Sequence, residues 1–143
     1  MKMYSFQGLS ISISHPAVGS ISPVGTGLVS VTVSMATERT SHEVAADGSI
    51  MVSKILGRNG NVAIDIQQSS DLHNWLMKWF NYIETADPSS WAEASIYINS
   101  SMLNQWFNCT GVSPQKQADN PFKEKGSDVT WTLMCADIQQ GAA

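Results

Sequence analysis

The residues that most often carry catalysis or bind metals are few in this chain and far apart. The three histidines are His15, His42 and His73, and the two cysteines are Cys109 and Cys135. A zinc site needs ligands grouped as in HxxxH or CxxC, so that several of them converge on one ion. No such grouping occurs, so we expect no metal site.

Motifs for activated nucleophiles and for phosphate binding are also missing. The chain has no GxSxG elbow, no P-loop and no dinucleotide-binding glycine pattern. Its acidic residues are scattered, and nothing indicates a carboxylate pair of the kind that hydrolyses glycosides. We therefore expect neither an enzyme nor a bound cofactor.

Aromatic residues beside basic ones can bind single-stranded nucleic acid by stacking. Here Trp75, Trp79, Phe80 and Trp131 follow apolar patterns that indicate core packing instead. A net charge of −4 also argues against the basic face that nucleic-acid binding requires. Trp91 is the one aromatic residue without an evident role in the core.

A hairpin and a helix form the centre of the predicted fold. Asn59-Gly60 favours a type I′ turn that would pair residues 51–56 with residues 61–67. Opposed side chains share a face of the sheet, so Lys54 would lie opposite Asp65. The apolar face would consist of Met51, Ser53, Ile55, Val62, Ile64 and Ile66, and the polar face of Val52, Lys54, Ala63, Asp65 and Gln67.

An amphipathic helix is predicted at about residues 70–85. Ser69 or Ser70 is the expected N-cap, and Asp87-Pro88 ends the helix. His73 falls on the polar face, where we expect an ordinary solvated histidine. Apolar side chains that recur at i, i+3, i+4 and i+7 predict a core face that packs on a sheet. That face consists of Leu72, Trp75, Leu76, Trp79, Phe80 and Ile83.

The rest of the chain alternates as β-strands. Leu28 to Ala36 alternates most regularly, with Val29, Val31, Val33 and Met35 on one face and Ser30, Thr32 and Ser34 on the other. Further strands are expected at about 4–14, 93–100, 102–112 and 128–139, with a polar connection at 36–47. The predicted fold class is therefore mainly β. It is a sandwich or small barrel of six or seven antiparallel strands with one flanking helix, in a single domain over residues 1–143.

Composition suggests that this domain assembles with other subunits. A chain of 143 residues can bury a core without metals or disulfides. Only 14% of its residues are charged, below the roughly 25–35% expected of a freely soluble surface. Such a surface is easier to bury, because each buried charge needs a partner. The N-terminus lacks a secretory h-region and no membrane-length apolar run occurs, so we expect free, buried thiols in a cytosolic product.

This set of segments resembles the small tail tube proteins of contractile-tailed bacteriophages, a family of single-domain phage structural proteins. The resemblance spans nearly the whole chain in order and length. It is carried by Tyr4 to Phe6 (YSF), Ala46-Asp47-Gly48, the stretch with Met51, Gly57, Gly60, Val62 and Ile64, the segment from Ser70 to Tyr82, and Trp131-Thr132-Leu133.

The resemblance implies a virion structural protein that forms hexameric rings. Rings of such proteins stack into a helical tube around a tape-measure protein, and later around the DNA during ejection, without sequence-specific DNA binding. Sheath and baseplate proteins are the other implied partners. The implied location is the phage tail, after assembly in the cytoplasm of the bacterial host, with no membrane and no cofactor.

The resemblance also implies two working surfaces. In a conduit for DNA, small polar side chains would avoid the phosphate binding that lysine and arginine promote. The expected lumen-facing residues are Ser30, Thr32, Ser34, Lys54, Ala63, Asp65 and Gln67. The polar connection would be an arm that contacts an adjacent subunit or ring, through Glu38, Arg39, His42 and Glu43.

Two other interpretations stay open at this point. The tube proteins of bacteriocins and type VI-like secretion machines form rings of the same fold, and the sequence does not separate them from phage tubes. A reading of another class is a monomeric carbohydrate- or ligand-binding β-sandwich module, with Trp91 and Trp106 as exposed platforms.

Overall fold

The computed structural model describes residues 8–22 and 27–142 and places them in a mainly β fold. Seven antiparallel strands form one sheet that curls into a half-barrel, two further strands form a separate hairpin, and one helix packs on the apolar side of the sheet. The predicted fold class is thereby confirmed. The segment Tyr4 to Phe6 (YSF) lies outside the described residues.

The elements are β1 (Leu9–His15), β2 (Gly19–Ile21), β3 (Leu28–Met35), β4 (Thr40–Val44), β5 (Ile50–Lys54), β6 (Gly60–Gln67), α1 (Asp71–Thr85), β7 (Ala94–Ser100), β8 (Gln105–Pro114) and β9 (Asp128–Ala142), with a 3-10 turn at Pro88–Ser90.

The large sheet has the strand order β2-β1-β7-β8-β9-β6-β3. β6 and β9 lie beside each other near one end, and β3 is the edge strand next to β6. Because β3 has a neighbour on one side only, its outer row of backbone groups is unpaired within the described chain. Such an edge can pair with another chain.

The core forms on one side of β6 and β9, as their alternation predicts. Val62 and Ile64 of β6 are fully buried, and so are Trp131 and Leu133 of β9. The register places Val62 opposite Leu133 and Ile64 opposite Trp131, so these side chains share the inner face. Burial of such side chains contributes about 1.5–3 kcal/mol each.

Helix α1 covers this apolar side. Its N-cap is Ser70, whose Oγ accepts a hydrogen bond from the backbone N–H of His73 at 3.2 Å. No helix in the described part of the chain is long and apolar enough to span a membrane. Of the six predicted core-face residues, Leu72, Leu76, Trp79 and Ile83 are buried, and Trp75 and Phe80 are partly buried against the same core.

The prediction of a hairpin with its turn at Asn59-Gly60 is wrong. β5 pairs with β4 and not with β6, so Lys54 lies opposite Thr40. β6 pairs with β3 and β9 in the large sheet. Its own apolar face was predicted correctly, but Met51, which was assigned to that face, is exposed on the separate hairpin.

The turn of the actual hairpin lies at Asp47-Gly48. Gly48 has φ +89°, a conformation that favours glycine, and the Asp47 carboxylate accepts hydrogen bonds from the backbone and the hydroxyl of Ser49. The hydroxyl donor and the backbone donor together lower the pKa of Asp47. Asp-Gly and Asn-Gly are both hairpin signals, so the sequence contains two competing turn sites twelve residues apart.

Gly60 is needed for close packing rather than for a turn. It does not have a positive φ, and it lies opposite Met35 of β3. A Cβ at this position would collide with the backbone oxygen of Ser34 and would come within 2.6 Å of Cδ1 of Ile138. Glycine therefore allows β6 to begin in register with β3.

The two long strands β8 and β9 change the side that faces the core part-way along. On β9 both Cys135 and Ile138 are buried, and on β8 both Cys109 and Val112 are buried. A spacing of three instead of two reverses the alternation. Gly111, with φ +64°, lies between Cys109 and Val112 on β8. The register pairs Cys109 with Ile138 and Val112 with Cys135, so the two strands change sides at the same place.

Both cysteines are free and buried, as predicted. A hydrogen bond with Cys109, together with burial, raises the pKa of the Cys135 thiol. A protonated, buried thiol is a poor nucleophile, so Cys135 is a core residue rather than a reactive one.

The substitution Gly60→Ala should lower the free energy of unfolding by about 1–3 kcal/mol, because the added methyl group overpacks the β3–β6 contact. Urea unfolding followed by circular dichroism measures the change. Gly126→Ala is the matched control, since Gly126 has open space around its Cβ position and its stability should change by less than about 0.5 kcal/mol. Equal stabilities of the two variants would contradict the packing role.

Candidate functional surface: the hydroxyl face and the hairpin

A polar surface extends across β3, β6 and β9 on the side opposite the core. An irregularity between Leu28 and Ser30 places Leu28 opposite Ile66 and Ser30 opposite Asp65. Val29, which was predicted on the apolar face, is therefore left exposed at a bulge. We call this surface the hydroxyl face, and it comprises Ser30, Thr32, Ser34, Asn61, Ala63, Asp65, Gln67, Asp128, Thr130, Thr132 and Met134.

Asp65 joins the three strands at the centre of the hydroxyl face. Its Oδ2 accepts a hydrogen bond from Ser30 Oγ at 2.9 Å, and its Oδ1 accepts one from Thr130 Oγ1. Ser30 and Thr130 are its direct neighbours on the two flanking strands. Hydrogen bonds to a carboxylate are stronger than neutral ones, so this side chain is held in place by both neighbours.

Lys54 does not belong to the hydroxyl face, in contrast to the prediction. It lies opposite Thr40 on the hairpin, whereas Asp65 lies between Ser30 and Thr130. The prediction failed because residues 55–59 lead from the hairpin into the large sheet and do not form a turn between β5 and β6. The other residues predicted to face the lumen share one face of the sheet: Ser30, Thr32, Ser34, Ala63, Asp65 and Gln67.

The polar connection predicted as an arm is part of a β-hairpin. β4 and β5 pair only with each other, and their side chains are almost all exposed. At the base, Arg39 O accepts a hydrogen bond from Ile55 N at 2.8 Å, and the Arg39 guanidinium donates to Gly57 O. Of the four predicted arm residues, Arg39 is half-buried, and Glu38, His42 and Glu43 are exposed.

The two faces of this hairpin differ in polarity. The register places Val44 opposite Ile50 and His42 opposite Val52, and these pairs lie on one side. Glu43 lies with Met51 on the other side. We call the first side the apolar hairpin face (Val44, Ile50 and Val52), whose three side chains are 60–71% exposed. Sequence reasoning missed it because it assigned β5 to a different sheet, although Asp47-Gly48 marked the turn.

His73 is buried and not solvated as predicted. Trp131 Nε1 donates a hydrogen bond to His73 Nδ1 at 3.0 Å, so the proton of the neutral imidazole lies on Nε2 and is donated to Asn120 Oδ1 at 2.7 Å. Asn120 Nδ2 donates to the backbone oxygen of Ala118. The helix therefore holds the loop 115–127 through a polar contact inside the core. Helical periodicity identifies a histidine as polar but does not reveal such a partner.

His15, another candidate for catalysis or metal binding, makes structural contacts. His15 is buried, its Nδ1 accepts from Ala17 N at 3.1 Å, and its Nε2 is 3.2 Å from Ser90 O. Within residues 8–22 and 27–142, no three His, Cys, Asp or Glu side chains are grouped so that they could hold a metal ion.

The two proposed aromatic platforms do not form one patch. Trp91 precedes the start of β7 at Ala94, whereas Trp106 lies opposite Asn99 near the other end of that strand. At about 3.3 Å per residue the five steps from Ala94 to Asn99 already separate them by roughly 16 Å. Trp106 also covers Gly141. A concave aromatic binding patch is therefore not built from these two residues.

A comparison with known families identifies the family to which this chain belongs. The family model described as "Bacteriophage PhiTE tail tube protein" matches residues 1–142. The chain belongs to this family. It is thus a structural component of a phage tail tube, which confirms the resemblance drawn from the sequence. No curated protein sequence matches this tail tube protein.

Solved structures with the same fold come from contractile injection systems. A chain of the anti-feeding prophage cap, a tube-terminating cap, matches with a TM-score of 0.63 and 9% identity, over 100% of this tail tube protein and 93% of that chain. A chain of the sheath-tube complex of an extracellular contractile injection system (PVC), in its extended state, matches with a TM-score of 0.60 and 14% identity, over 99% and 93%. At these identities the likeness concerns the fold.

Replacing Asp65→Ala should lower the free energy of unfolding by about 1–3 kcal/mol, because two hydrogen bonds to a charged group are lost between three strands. Urea unfolding measures the loss. Ser34→Ala is the matched control, since Ser34 is exposed on the same face and its hydroxyl has no hydrogen-bond partner in the described residues. A loss at Ser34 as large as that at Asp65 would contradict this account.

Asn120→Ala should release the loop 115–127 from His73 and speed tryptic cleavage at Lys116, Lys123 and Lys125. A loss of about 1.4 kcal/mol in local stability corresponds to about tenfold faster cleavage when opening is rapid. Mass spectrometry of a digestion time course measures the rate. The control is Asn74→Ala on the exposed side of α1, and this variant should be digested at the same rate as the unmodified protein. Unchanged cleavage of Asn120→Ala would show that the hydrogen bond between His73 and Asn120 does not hold the loop.

Proposed function

We propose that this tail tube protein assembles into hexameric rings that stack into the inner tube of a contractile phage tail, through which DNA is ejected. The observation that carries the proposal is the composition of the hydroxyl face. Its eleven side chains include two carboxylates, Asp65 and Asp128, and neither lysine nor arginine. DNA is retained where basic residues replace its counterions. A wall of this composition would let DNA slide past, which is what a conduit requires.

The unpaired edge of β3 supports ring formation. In such a ring each subunit contributes β3, β6 and β9 to one continuous barrel, with the hydroxyl face turned toward the bore. Pairing across subunits satisfies the free backbone groups of β3 and removes an edge that would otherwise favour aggregation. The low charge of the chain fits burial between subunits, since few charges need partners.

The hairpin supplies contacts to an adjacent subunit or ring in this proposal. Two-stranded hairpins are only marginally stable by themselves in water, and β4 and β5 are not covered by the described remainder of the chain. Glu38, His42 and Glu43 are exposed there and available for polar contacts. A neighbouring copy would therefore stabilise the hairpin as well as the ring stack.

The further partners follow from the same role. A tape-measure protein would occupy the bore before DNA, sheath and baseplate proteins would contact the tube, and assembly would take place in the host cytoplasm. The fold likeness to chains from an extended sheath-tube complex and from the anti-feeding prophage baseplate supports a contractile machine. Sequence-specific DNA binding and membrane contact are not part of the proposal.

A second candidate is the ring-forming tube of a bacteriocin or type VI-like secretion machine, which would contain no DNA. It is favoured by the solved structures of similar fold, one of which comes from an extracellular contractile injection system. The cargo separates the two candidates: intact particles that contain this chain should yield nuclease-protected DNA if the owner is a phage. Particles without DNA would indicate the second candidate.

Electron microscopy of the purified full-length protein tests the assembly. We expect hollow tubes built from sixfold rings, and a helical reconstruction should place Ser30, Asp65 and Thr130 on the wall of the bore. Replacement of residues 40–54 by a Gly-Ser-Gly linker should leave the circular dichroism of a folded β protein but abolish tubes. A monomer under all conditions, or a hydroxyl face on the outside of the tube, would overturn the proposal.

A further inference from the structure

An apolar groove opens where the curled sheet brings β3 close to β7 and β8. It encloses about 300 Å³, which corresponds to about ten water molecules at roughly 30 Å³ each. Among the residues that the structure describes, no ionisable side chain lines it. The wall on β3 is formed by Val29, Val31 and Val33 with Ser30 among them, and the opposite wall is formed by Leu9, Ile98, Leu103 and Phe107 with Ser100 and Gln105.

The apolar hairpin face matches this groove in polarity, because both surfaces expose mainly aliphatic side chains. Val44, Ile50 and Val52 project from one side of a narrow two-stranded ribbon, and no ionisable carboxylate or ammonium group separates them. Each is more than half exposed. A ribbon is convex and thin, whereas the groove is concave and lies between two walls.

We propose that this groove receives the apolar hairpin face of a second copy of the chain. The inference rests on the proposed self-assembly and adds the acceptor site that the hairpin occupies. Within one chain, no residue of the hairpin lines the groove, so the contact is made between copies. A contact between two different surfaces of the same chain is heterologous, and heterologous contacts build rings or filaments.

Charge favours this occupant over Phe122, another strongly exposed apolar side chain. Phe122 is 90% exposed, but it is followed by Lys123, Glu124 and Lys125. Insertion of that segment would bring charged groups toward a groove without ionisable partners, which is costly. The hairpin face brings aliphatic side chains only, apart from the imidazole of His42 beside Val52 and Lys54 at the base.

Photo-crosslinking in assembled tubes tests the contact directly. A benzoylphenylalanine at position 29 places a reactive group at the exposed mouth of the groove, and one at position 97 replaces Tyr97, which is similarly exposed but does not line the groove. Tubes are assembled from a mixture of ¹⁵N-labelled and unlabelled subunits and irradiated. We expect position 29, but not position 97, to give mixed-isotope adducts to residues 42–52.

A pair of matched substitutions on one strand gives an independent measurement. Val52→Gln removes an aliphatic side chain from the apolar hairpin face, whereas Met51→Gln introduces the same amide side chain on the opposite side of β5. We expect Val52→Gln to raise the subunit concentration needed for assembly by about tenfold or more, as for a loss of 1.4 kcal/mol. Met51→Gln should change it less than twofold, and circular dichroism should show both variants folded.

The outcomes separate this inference from the proposed function. Normal tubes in which position 29 links only to residues 1–7 of its own copy, or to another segment, would overturn the inference and leave tube formation intact. Equal effects of Val52→Gln and Met51→Gln would overturn it as well. If the unmodified chain forms no assembly, both the proposed function and this contact are wrong.

Discussion

The two-sidedness of β3, β6 and β9 is the physical constraint on which the rest of the structure depends. One side buries large side chains such as Ile64 and Trp131 beneath α1, and the other side carries the hydroxyl face around Asp65. A slip of one residue in any strand pairing would exchange these sides and place hydroxyl groups in the core. Two local features oppose such a slip. The bulge at Val29 brings β3 into phase with β6, and Gly60 lets the two strands approach closely at the far end.

The sequence is most informative where burial repeats with a regular period. The apolar faces of β6, α1 and the first half of β9 were predicted correctly, because alternation and helical spacing record which side chains are buried. The pairing of β5 could not be predicted in this way, since the partner of a strand depends on contacts far along the chain. Asn59-Gly60 and Asp47-Gly48 are equally good local turn signals, but β5 pairs with β4 across Asp47-Gly48, and β6 pairs with β3 and β9.

The candidate surfaces were predictable to different extents for the same reason. The hydroxyl side of β3 follows from alternation alone, whereas the addition of Thr130 and Thr132 required the register of β9. The contact between His73 and Asn120 joins residues that are 47 positions apart and depends on Trp131 as a third partner. No local pattern encodes such a contact. The apolar hairpin face was missed because its strand was placed in the wrong sheet.

The hairpin stands apart from the sheet that forms the body of the subunit, and this separation has a consequence for how large an assembly can become. A projecting element that binds a different surface on the next copy leaves that copy with its own element still unoccupied. In the proposed contact each addition would therefore recreate the site for the next one, and the contact itself would not limit the number of copies. The length of the assembly would then not follow from this contact. It has to be set by a separate molecule that either spans the assembly or blocks its last exposed layer.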